Sequence, residues 1–321
     1  MVCAPRRDTG AARNRWVRFD TEIMMIGPWR RPAQMLAEQE YDGHASVHDD
    51  GTAESLGLAG APIEGPTHFS QIDPVAVAAW GPAWFERGCV SAHFRTMVVE
   101  GEEVQASLVL SGDSGRIDAV KRDGSVVLTG TASVGPEHTE TELQRRLDNL
   151  GDPGELHIVD RLSIGETRQG THPVRITRAE RNGAGYPFSL DDKLARITEP
   201  HPWYTAEGAA LSPWQRAVVP MEMISVLAHK AGPSWPVRTP SLGLFLDLDV
   251  RIVDGPVFVD QQYDVDHEIV GLGQSRRTES YWTRSTLTDV LTGRATALVL
   301  LHSGVFKDSY PEYPTAASAP G

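Results

Sequence analysis

Cysteine is almost absent from this chain, which limits what can hold the fold together. Only Cys3 and Cys89 occur among 321 residues, and Cys3 lies in an N-terminal stretch that we expect to be disordered. Two such residues provide no disulfide framework and no cysteine-based zinc site. A chain of this length can bury about three quarters of its unfolded surface, so we expect a hydrophobic core without covalent cross-links.

A surplus of positive charge and long hydrophobic runs are also lacking. The 30 Lys and Arg residues are outnumbered by 43 Asp and Glu residues, which gives a net charge of −13. This balance argues against a nucleic-acid partner, because phosphate binding requires clustered basic residues. Largely apolar stretches such as residues 295–301 are far shorter than the roughly 20 residues of a membrane helix. We therefore expect a cytoplasmic protein with no membrane partner.

An internal repeat divides the chain into two units. His48-Asp-Asp-Gly-Thr-Ala-Glu54 and His201-Pro-Trp-Tyr-Thr-Ala-Glu207 share the pattern His-x-x-x-Thr-Ala-Glu. Further on, Val98-Val-Glu-Gly101 matches Ile252-Val-Asp-Gly255, and the spacing differs by only one residue from that of the first pair. Matches at so steady a spacing predict a duplicated domain. We place the first unit at residues 19–150 and the second at residues 151–309. Residues 1–18 and 310–321 are then an N-terminal and a C-terminal tail.

Each unit has the same predicted order: a short acidic helix, a longer helix and four antiparallel strands. Apolar spacing predicts the first long helix over residues 66–86, with a kink or break at Pro74 and at Pro82. The predicted elements are 49–56, 66–86, 89–99, 104–111, 116–121 and 125–134 in the first unit, and 219–231, 243–253, 257–269, 276–287 and 294–303 in the second. This order predicts an α+β fold in which each antiparallel sheet wraps around a central helix. We expect the units to bury their sheet edges against each other, because an unpaired edge is a liability.

The residues around His48 resemble a known family. Val47-His48-Asp49-Asp50 is followed by Ala53, Gly57 and Ile63-Glu64-Gly65, and this stretch is similar to the MaoC-like hydratase/dehydratase family. The resemblance implies a tandem (double) hot-dog fold. It also implies a hydro-lyase that adds or eliminates water across the double bond of an enoyl thioester or related enone. The thioester of coenzyme A or acyl carrier protein would be part of the substrate, and no other cofactor is implied.

The resemblance also assigns candidate catalytic residues. His48 matches the family's acid/base histidine, and Gly65 matches the glycine that opens the central helix and offers its N–H to the substrate oxygen. Where the family carries its aspartate, this chain has a glycine. Asp42 stands one residue earlier, and Asp50 (or its neighbour Asp49) is the alternative carboxylate for His48.

Further residues are candidates for substrate binding. They are His68, Trp84, Arg95, Trp203 and Trp214. His68 lies one helical turn after Gly65, Arg95 offers a cation to a phosphate tail, and the tryptophans would line a channel for a bulky acyl chain. The competing interpretation is core or interface packing for the histidine and the aromatic residues, and simple solvation for Arg95. We expect no metal site, because the His-x-x-x-His pattern at 44–48 falls in a predicted loop.

Two other functions fit the same sequence. Hot-dog folds also host acyl-CoA thioesterases, and a fold does not dictate a reaction. The family's Asn and Pro are replaced here by Ala45 and Ser46, which suits a relative that binds an acyl or other hydrophobic ligand without turning it over. Two chains could also pair through their sheet edges, so a homodimer is compatible with the sequence.

Overall fold

The computed structural model describes residues 22–41, 44–230, 232 and 234–314. The predicted N-terminal tail and the end of the predicted C-terminal tail lie outside these residues. The strands are β1 (Ile23–Ile26), β2 (Glu40–Tyr41), β3 (His44–Ala45), β4 (Gly88–Phe94), β5 (Val104–Ser111), β6 (Ser114–Lys121), β7 (Val126–Val134), β8 (Thr167–Gln169), β9 (Gly243–Ile252), β10 (Tyr263–Gln274), β11 (Thr278–Asp289) and β12 (Ala295–Phe306). The helices are α1 (Asp50–Ser55), α2 (Phe69–Trp80), α3 (Ala83–Arg87), α4 (Glu142–Asp148), α5 (Leu190–Arg196), α6 (Ala206–Ala209) and α7 (Met221–His229), with 3-10 turns at Gly65–His68, Pro202–Tyr204 and Lys307–Ser309.

The strand order displays the duplication. Within the described residues, ten strands form one antiparallel sheet, which reads β4, β7, β6, β5 outward from its centre in the first unit and β9, β12, β11, β10 in the second. The units join where β4 pairs with β9, with Val90 opposite Val250. The short strands β1 and β8 pair with the outer edges. The predicted α+β architecture and the predicted burial of edge against edge are both confirmed.

The first central helix is interrupted at one of the two predicted positions. α2 runs through Pro74 without a break, so this residue forgoes one backbone hydrogen bond inside the helix. The helix ends at Gly81, which adopts a φ of +59°, and α3 begins after Pro82. The predicted interruption at Pro82 is therefore confirmed, whereas at Pro74 the helix does not break.

The chain enters both central helices through the same backbone pairing. β10 begins at Tyr263 rather than at Val257, where the prediction placed its start, because the carbonyl of Val257 accepts from the N–H of Val219 at 2.9 Å. In the first unit the N–H of Ile63 donates to the carbonyl of Val98 at 2.7 Å. These bonds hold the segment before each helix against the segment that leads into the second strand after that helix, β5 or β10. They thereby fix where each central helix starts.

One hydrophobic core extends across both units. It contains Phe69 and Ile72 from α2, Ile224 from α7 and Leu248 from β9, all fully buried. Each buried side chain of this size contributes about 1.5–3 kcal/mol to stability. A smaller cluster includes Tyr310, so the segment predicted as a C-terminal tail begins with a buried residue. No helix in the described part of the chain is both long and apolar enough to span a bilayer.

Candidate active site

A cavity of about 740 Å³ is lined by residues of both units. The first unit contributes His48, Gly65 and Arg95, and the second contributes His229 and His267. Its volume lies in the range of pockets that enclose small organic ligands. Both units of the duplicated chain therefore contribute to this cavity, and they do so with different residues.

His48 is held by the turn that precedes α1. Asp49 caps this helix by accepting from the N–H of Thr52 at 2.8 Å. The Nδ1 of His48 lies 2.6 Å from the carbonyl oxygen of Pro62. Because a carbonyl oxygen can only accept, Nδ1 carries the proton and the neutral ring keeps a lone pair on Nε2. Burial lowers the pKa of His48 below its usual value, against the opposing effects of the Pro62 carbonyl and the charge of Glu64, so the ring is neutral at pH 7.

The assigned carboxylates that the structure describes, Asp49 and Asp50, do not line the cavity. Asp50 is exposed at the start of α1, where it accepts from the N–H of Ala61 at 3.1 Å, and it is not among the cavity residues. Asp42 belongs to the part of the chain that the structure does not describe. Glu64 lines the cavity, is buried, and acts electrostatically on the pKa of His48.

Gly65 opens the helical segment that becomes α2. The 3-10 turn at Gly65–His68 runs directly into this helix, and the N–H groups at a helix start have no acceptor inside the helix. A Cβ on residue 65 would lie 2.6 Å from the ring of Phe94, so a larger residue would force the ring or the helix start to move. The partial positive charge of the helix start therefore meets the cavity that Gly65 lines.

His68 and Arg95 line the same cavity at different depths. His68 is 2% exposed, and burial lowers its pKa to about 4. Its Nδ1 has no hydrogen-bond partner within residues 22–41, 44–230, 232 and 234–314. Arg95 is exposed and places a cation at the mouth of the cavity. Together with His48 and Gly65, four of the candidate site residues thus meet at one cavity.

The three candidate tryptophans are not among the residues that line this cavity. Trp84 is fully buried and its Nε1 donates to Asp73 at 2.8 Å. Trp203 and Trp214 contact each other edge to face at 5.3 Å between ring centroids, and both contact Phe85. Since Phe85 belongs to the first unit and these two tryptophans to the second, this aromatic cluster packs the units together.

A buried charged cluster beside the cavity was not predicted. The Nζ of Lys193 lies 3.2 Å from Glu64 and 3.5 Å from Glu222, and all three side chains are almost fully buried. Burial raises the pKa of Glu222 to about 7, so one ammonium faces two carboxyl groups, of which Glu222 keeps its proton up to near-neutral pH. The three residues are far apart in sequence, and the acidic residue directly before Gly65 is the one local signal of the cluster.

Two cavity histidines were also missed. His229 ends α7. His267 lies on β10, where buried Val265 and Ile269 stand two residues to either side and the preceding Asp264 and Asp266 are exposed. That alternation places His267 on the inward face of the strand, and the sequence pattern could have indicated it. Among the residues that the structure describes, no three His, Cys, Asp or Glu side chains are arranged to hold a metal ion.

Comparison with known proteins identifies the fold. The sequence matches no protein-family model and no curated protein. The structure is similar to that of a MaoC domain protein, described as a dehydratase, from Chloroflexus aurantiacus, with a TM-score of 0.57 and 14% identity over 90% of this chain and 95% of that one. It is also similar to a conserved hypothetical protein with a double hot-dog fold from Mycobacterium tuberculosis, with a TM-score of 0.59 and 13% identity over 90% and 97% of the two chains. The predicted double hot-dog fold is confirmed.

Proposed function

We propose that this protein is a hydro-lyase that adds water to, or removes it from, the double bond of an enoyl thioester. The thioester of coenzyme A or acyl carrier protein is part of the substrate, so no separate cofactor takes part. The observation that supports the proposal is the meeting of His48, whose proton is fixed on Nδ1, and the helix start at Gly65 on one cavity. A MaoC domain protein described as a dehydratase has the same fold.

In the hydration direction His48 acts as the base. Its Nε2 takes a proton from water while the water oxygen bonds to the β-carbon of the enoyl group. The electron pair of the double bond moves into the thioester carbonyl, which becomes an enolate. The protonated imidazole then returns its proton to the α-carbon, so one water is added and the neutral base is restored. Dehydration follows the same steps in reverse.

Gly65 stabilises the enolate oxygen. Its main-chain N–H lies at the positive end of the helix dipole, where negative charge is favoured. Loss of one such donor in other enzymes typically reduces kcat by about a hundredfold to a thousandfold. The Phe94 ring against Gly65 keeps water from that side of the oxygen, and a hydrogen bond is stronger in such a low-dielectric setting.

Glu64 acts on the reaction through His48. Its charge raises the pKa of His48 and so stabilises the imidazolium that forms when the base takes its proton. Lys193 lies 3.2 Å from Glu64 and fixes that charge in place. Glu64 is therefore a positioning residue, and His48 carries the proton.

The His48→Ala variant tests the proposal. With a panel of trans-2-enoyl thioesters, kcat should fall by about a hundredfold to ten-thousandfold, the usual contribution of a general base, while the urea unfolding curve stays in place. His172→Ala removes an exposed histidine and should retain full activity. Undiminished hydration by the His48 variant would rule out this base.

The same assay separates the two alternatives. Release of free thiol without any change at the double bond identifies a thioesterase. Tight binding of a thioester without turnover of any member of the panel identifies a ligand-binding protein. The second alternative is favoured by one observation, namely that the Nδ1 of His48 meets the Pro62 carbonyl rather than a carboxylate.

A further inference from the structure

We infer that the second-unit side of the cavity is a polar subsite, centred on His267, that binds a hydroxyl group on the acyl chain of the ligand, beyond the reacting double bond. The inference rests on the proposed function in one respect: the ligand enters as an acyl thioester. It extends that function by naming the substrate class, a hydroxylated acyl chain rather than a plain hydrocarbon chain.

His267 has an unused hydrogen-bonding atom at the cavity wall. Its side chain faces inward from β10 and is 3% exposed. Its Nδ1 lies 2.9 Å from the Oγ of Ser285, the residue directly opposite on β11. Its Nε2 is buried and has no hydrogen-bond partner in the described part of the chain. A buried polar atom without a partner destabilises the protein, and a hydrogen bond from a ligand would recover that loss.

In the second unit, the strands that face the central helix themselves give the cavity polar side chains. On β11 the inward-facing Tyr281 and Thr283 line the cavity together with His267. The corresponding strands β5 and β6 of the first unit place apolar residues in the core, namely Ala106, Leu108, Ile117 and Ala119. Packing against a central helix is thus satisfied by apolar side chains. Polar side chains on the equivalent strands of the second unit, β10 and β11, cost free energy when they are buried unless they form hydrogen bonds. A ligand in the cavity is the partner that they face.

His229 approaches this side of the cavity from α7. Its Nδ1 lies 2.6 Å from the carbonyl oxygen of Ser225, so this nitrogen donates and Nε2 is left as an acceptor. Burial and, to a smaller extent, the nearby His229 lower the pKa of His267 to about 4, against the opposing charge of Asp266. Burial also lowers the pKa of His229. Two neighbouring imidazoles, both neutral at pH 7, therefore border this side of the cavity.

A hydroxyl group matches these two rings better than a charged group. The Nε2 of His229 accepts, and that of His267 donates or accepts according to how the Ser285 hydroxyl turns. A hydroxyl both donates and accepts, so it can bond to both rings. A carboxylate can only accept, so it could not bond to the accepting Nε2 of His229, and burial would cost it its hydration.

Direct binding to the full chain, measured by isothermal titration calorimetry, tests the subsite. The probes are the N-acetylcysteamine thioesters of dodecanoic acid and of the hydroxydodecanoic acids with the hydroxyl at each carbon of the outer half of the chain. These probes are saturated, so no hydration accompanies binding. At least one hydroxy isomer should bind about 3- to 10-fold more tightly than the plain chain, which is the gain expected from one net hydrogen bond.

Two variants at residue 267 and one control locate the effect. His267→Leu should abolish the preference for the hydroxy isomer and bind the plain chain at least as tightly as the wild type. His267→Gln, which keeps a donor and an acceptor, should retain part of the preference. His302→Leu removes an imidazole from the outer face of β12, where Nδ1 lies 2.7 Å from Asp247, and should retain all of it.

The outcomes separate this inference from the proposed function. If the wild type binds the plain chain but favours no hydroxy isomer, or if His267→Leu keeps the preference, the subsite is disproved and the lyase proposal stands. If the wild type binds neither the plain nor any hydroxylated thioester, both are disproved.

Discussion

The Nζ of Lys193, in the second unit, lies 3.2 Å from the Oε1 of Glu64, in the first. Glu64 stands directly before Gly65, the residue that opens the first central helix. The same ammonium lies 3.5 Å from Glu222, in the first turn of α7. One buried cation thus connects the starts of both central helices. The position of the Gly65 N–H therefore depends on a side chain from the other unit, and the two units form one site between them.

Replacing Lys193 by methionine should strongly destabilise the protein. The change leaves Glu64 and Glu222 buried without a counter-charge, and breaking a buried ion pair in this way typically costs about 3–5 kcal/mol. Urea unfolding at neutral pH measures the loss. Arg122→Met, which removes the exposed partner of Glu103 at 2.9 Å, is the control and should cost at most about 1 kcal/mol. Equal losses in the two variants would show that Lys193 does not have this role.

The free energy of unfolding of the Glu222→Gln variant should fall less with rising pH than that of the wild type. Burial raises the pKa of Glu222 from 4.5 to about 7, so this carboxyl stabilises the fold fully below pH 4.5 and loses that contribution as the pH rises through about 7. An amide resembles the protonated carboxyl and does not ionise. The free energy of unfolding of the variant, relative to the wild type, should therefore increase from about pH 5 to about pH 8.

Denaturation of both proteins at the two pH values isolates this effect, because every other titrating group is common to them. Glu54→Gln, at an exposed position of α1, provides the control and should show no such increase. A difference between Glu222→Gln and the wild type that stays constant with pH would mean that Glu222 is already ionised at low pH.

The duplication is the part of the fold that the sequence predicts best. Turn residues and alternating apolar positions are local features, so the predicted strand 104–111 coincides with β5. The repeat then places each later strand in an equivalent position, and the structure shows the same order of strands in both units. β10 was misplaced because the run at 257–259 pairs with the entry to α7, and an apolar run alone does not reveal which partner it will take.

The site is less accessible to sequence reasoning, and the repeated histidines show why. His48 and His201 occupy the same motif, yet the Nδ1 of His48 donates to the Pro62 carbonyl whereas that of His201 accepts from the N–H of Trp203 at 3.2 Å. The residues that follow each histidine decide its partner. For contacts across the units, such as the one between Lys193 and Glu64, no local pattern shows which two residues will meet. Aromatic residues such as Trp214 have the same sequence signature in a packed interface as in a channel.

The fall in kcat/KM on the acid side should occur below pH 6.5. Burial lowers the pKa of His48 from its usual 6.5, and a base must be unprotonated, so kcat/KM of the free enzyme should decline only as the pH drops below that value. Glu64→Gln removes a charge that raises this pKa, and it should move the decline to still lower pH. Glu38→Gln, a change at an exposed residue, should leave the profile in place. A decline centred at or above pH 6.5 would contradict the assignment.

Arg95→Ala should weaken the binding of coenzyme A thioesters selectively. Arg95 lies exposed at the mouth of the cavity, where a cation can meet the phosphates of the carrier. KM for an enoyl-CoA should rise by up to about fivefold, because an exposed ion pair is typically worth at most about 1 kcal/mol, while kcat and the KM for an N-acetylcysteamine thioester stay unchanged. An equal rise for both substrates would place Arg95 at the acyl chain instead of the carrier.

Gly65→Ala should lower kcat because of a clash with Phe94, and a smaller residue at position 94 should relieve it. A Cβ at residue 65 would lie 2.6 Å from the ring, so either the ring or the helix start must move. Displacing a catalytic group by about 1 Å typically reduces the rate by about a hundredfold. In a Phe94→Leu background the same substitution should reduce kcat far less.

The double-mutant cycle at positions 65 and 94 measures this coupling directly. Gly51→Ala is the control, because a Cβ there meets its nearest neighbour, an oxygen of Asp49, at an ordinary 3.5 Å; it should leave kcat unchanged. Strong coupling between residues 65 and 94 means that glycine is needed to let the ring lie over the helix start. Independent effects would mean that the glycine serves the backbone itself, and the shielding role given to Phe94 would then be wrong.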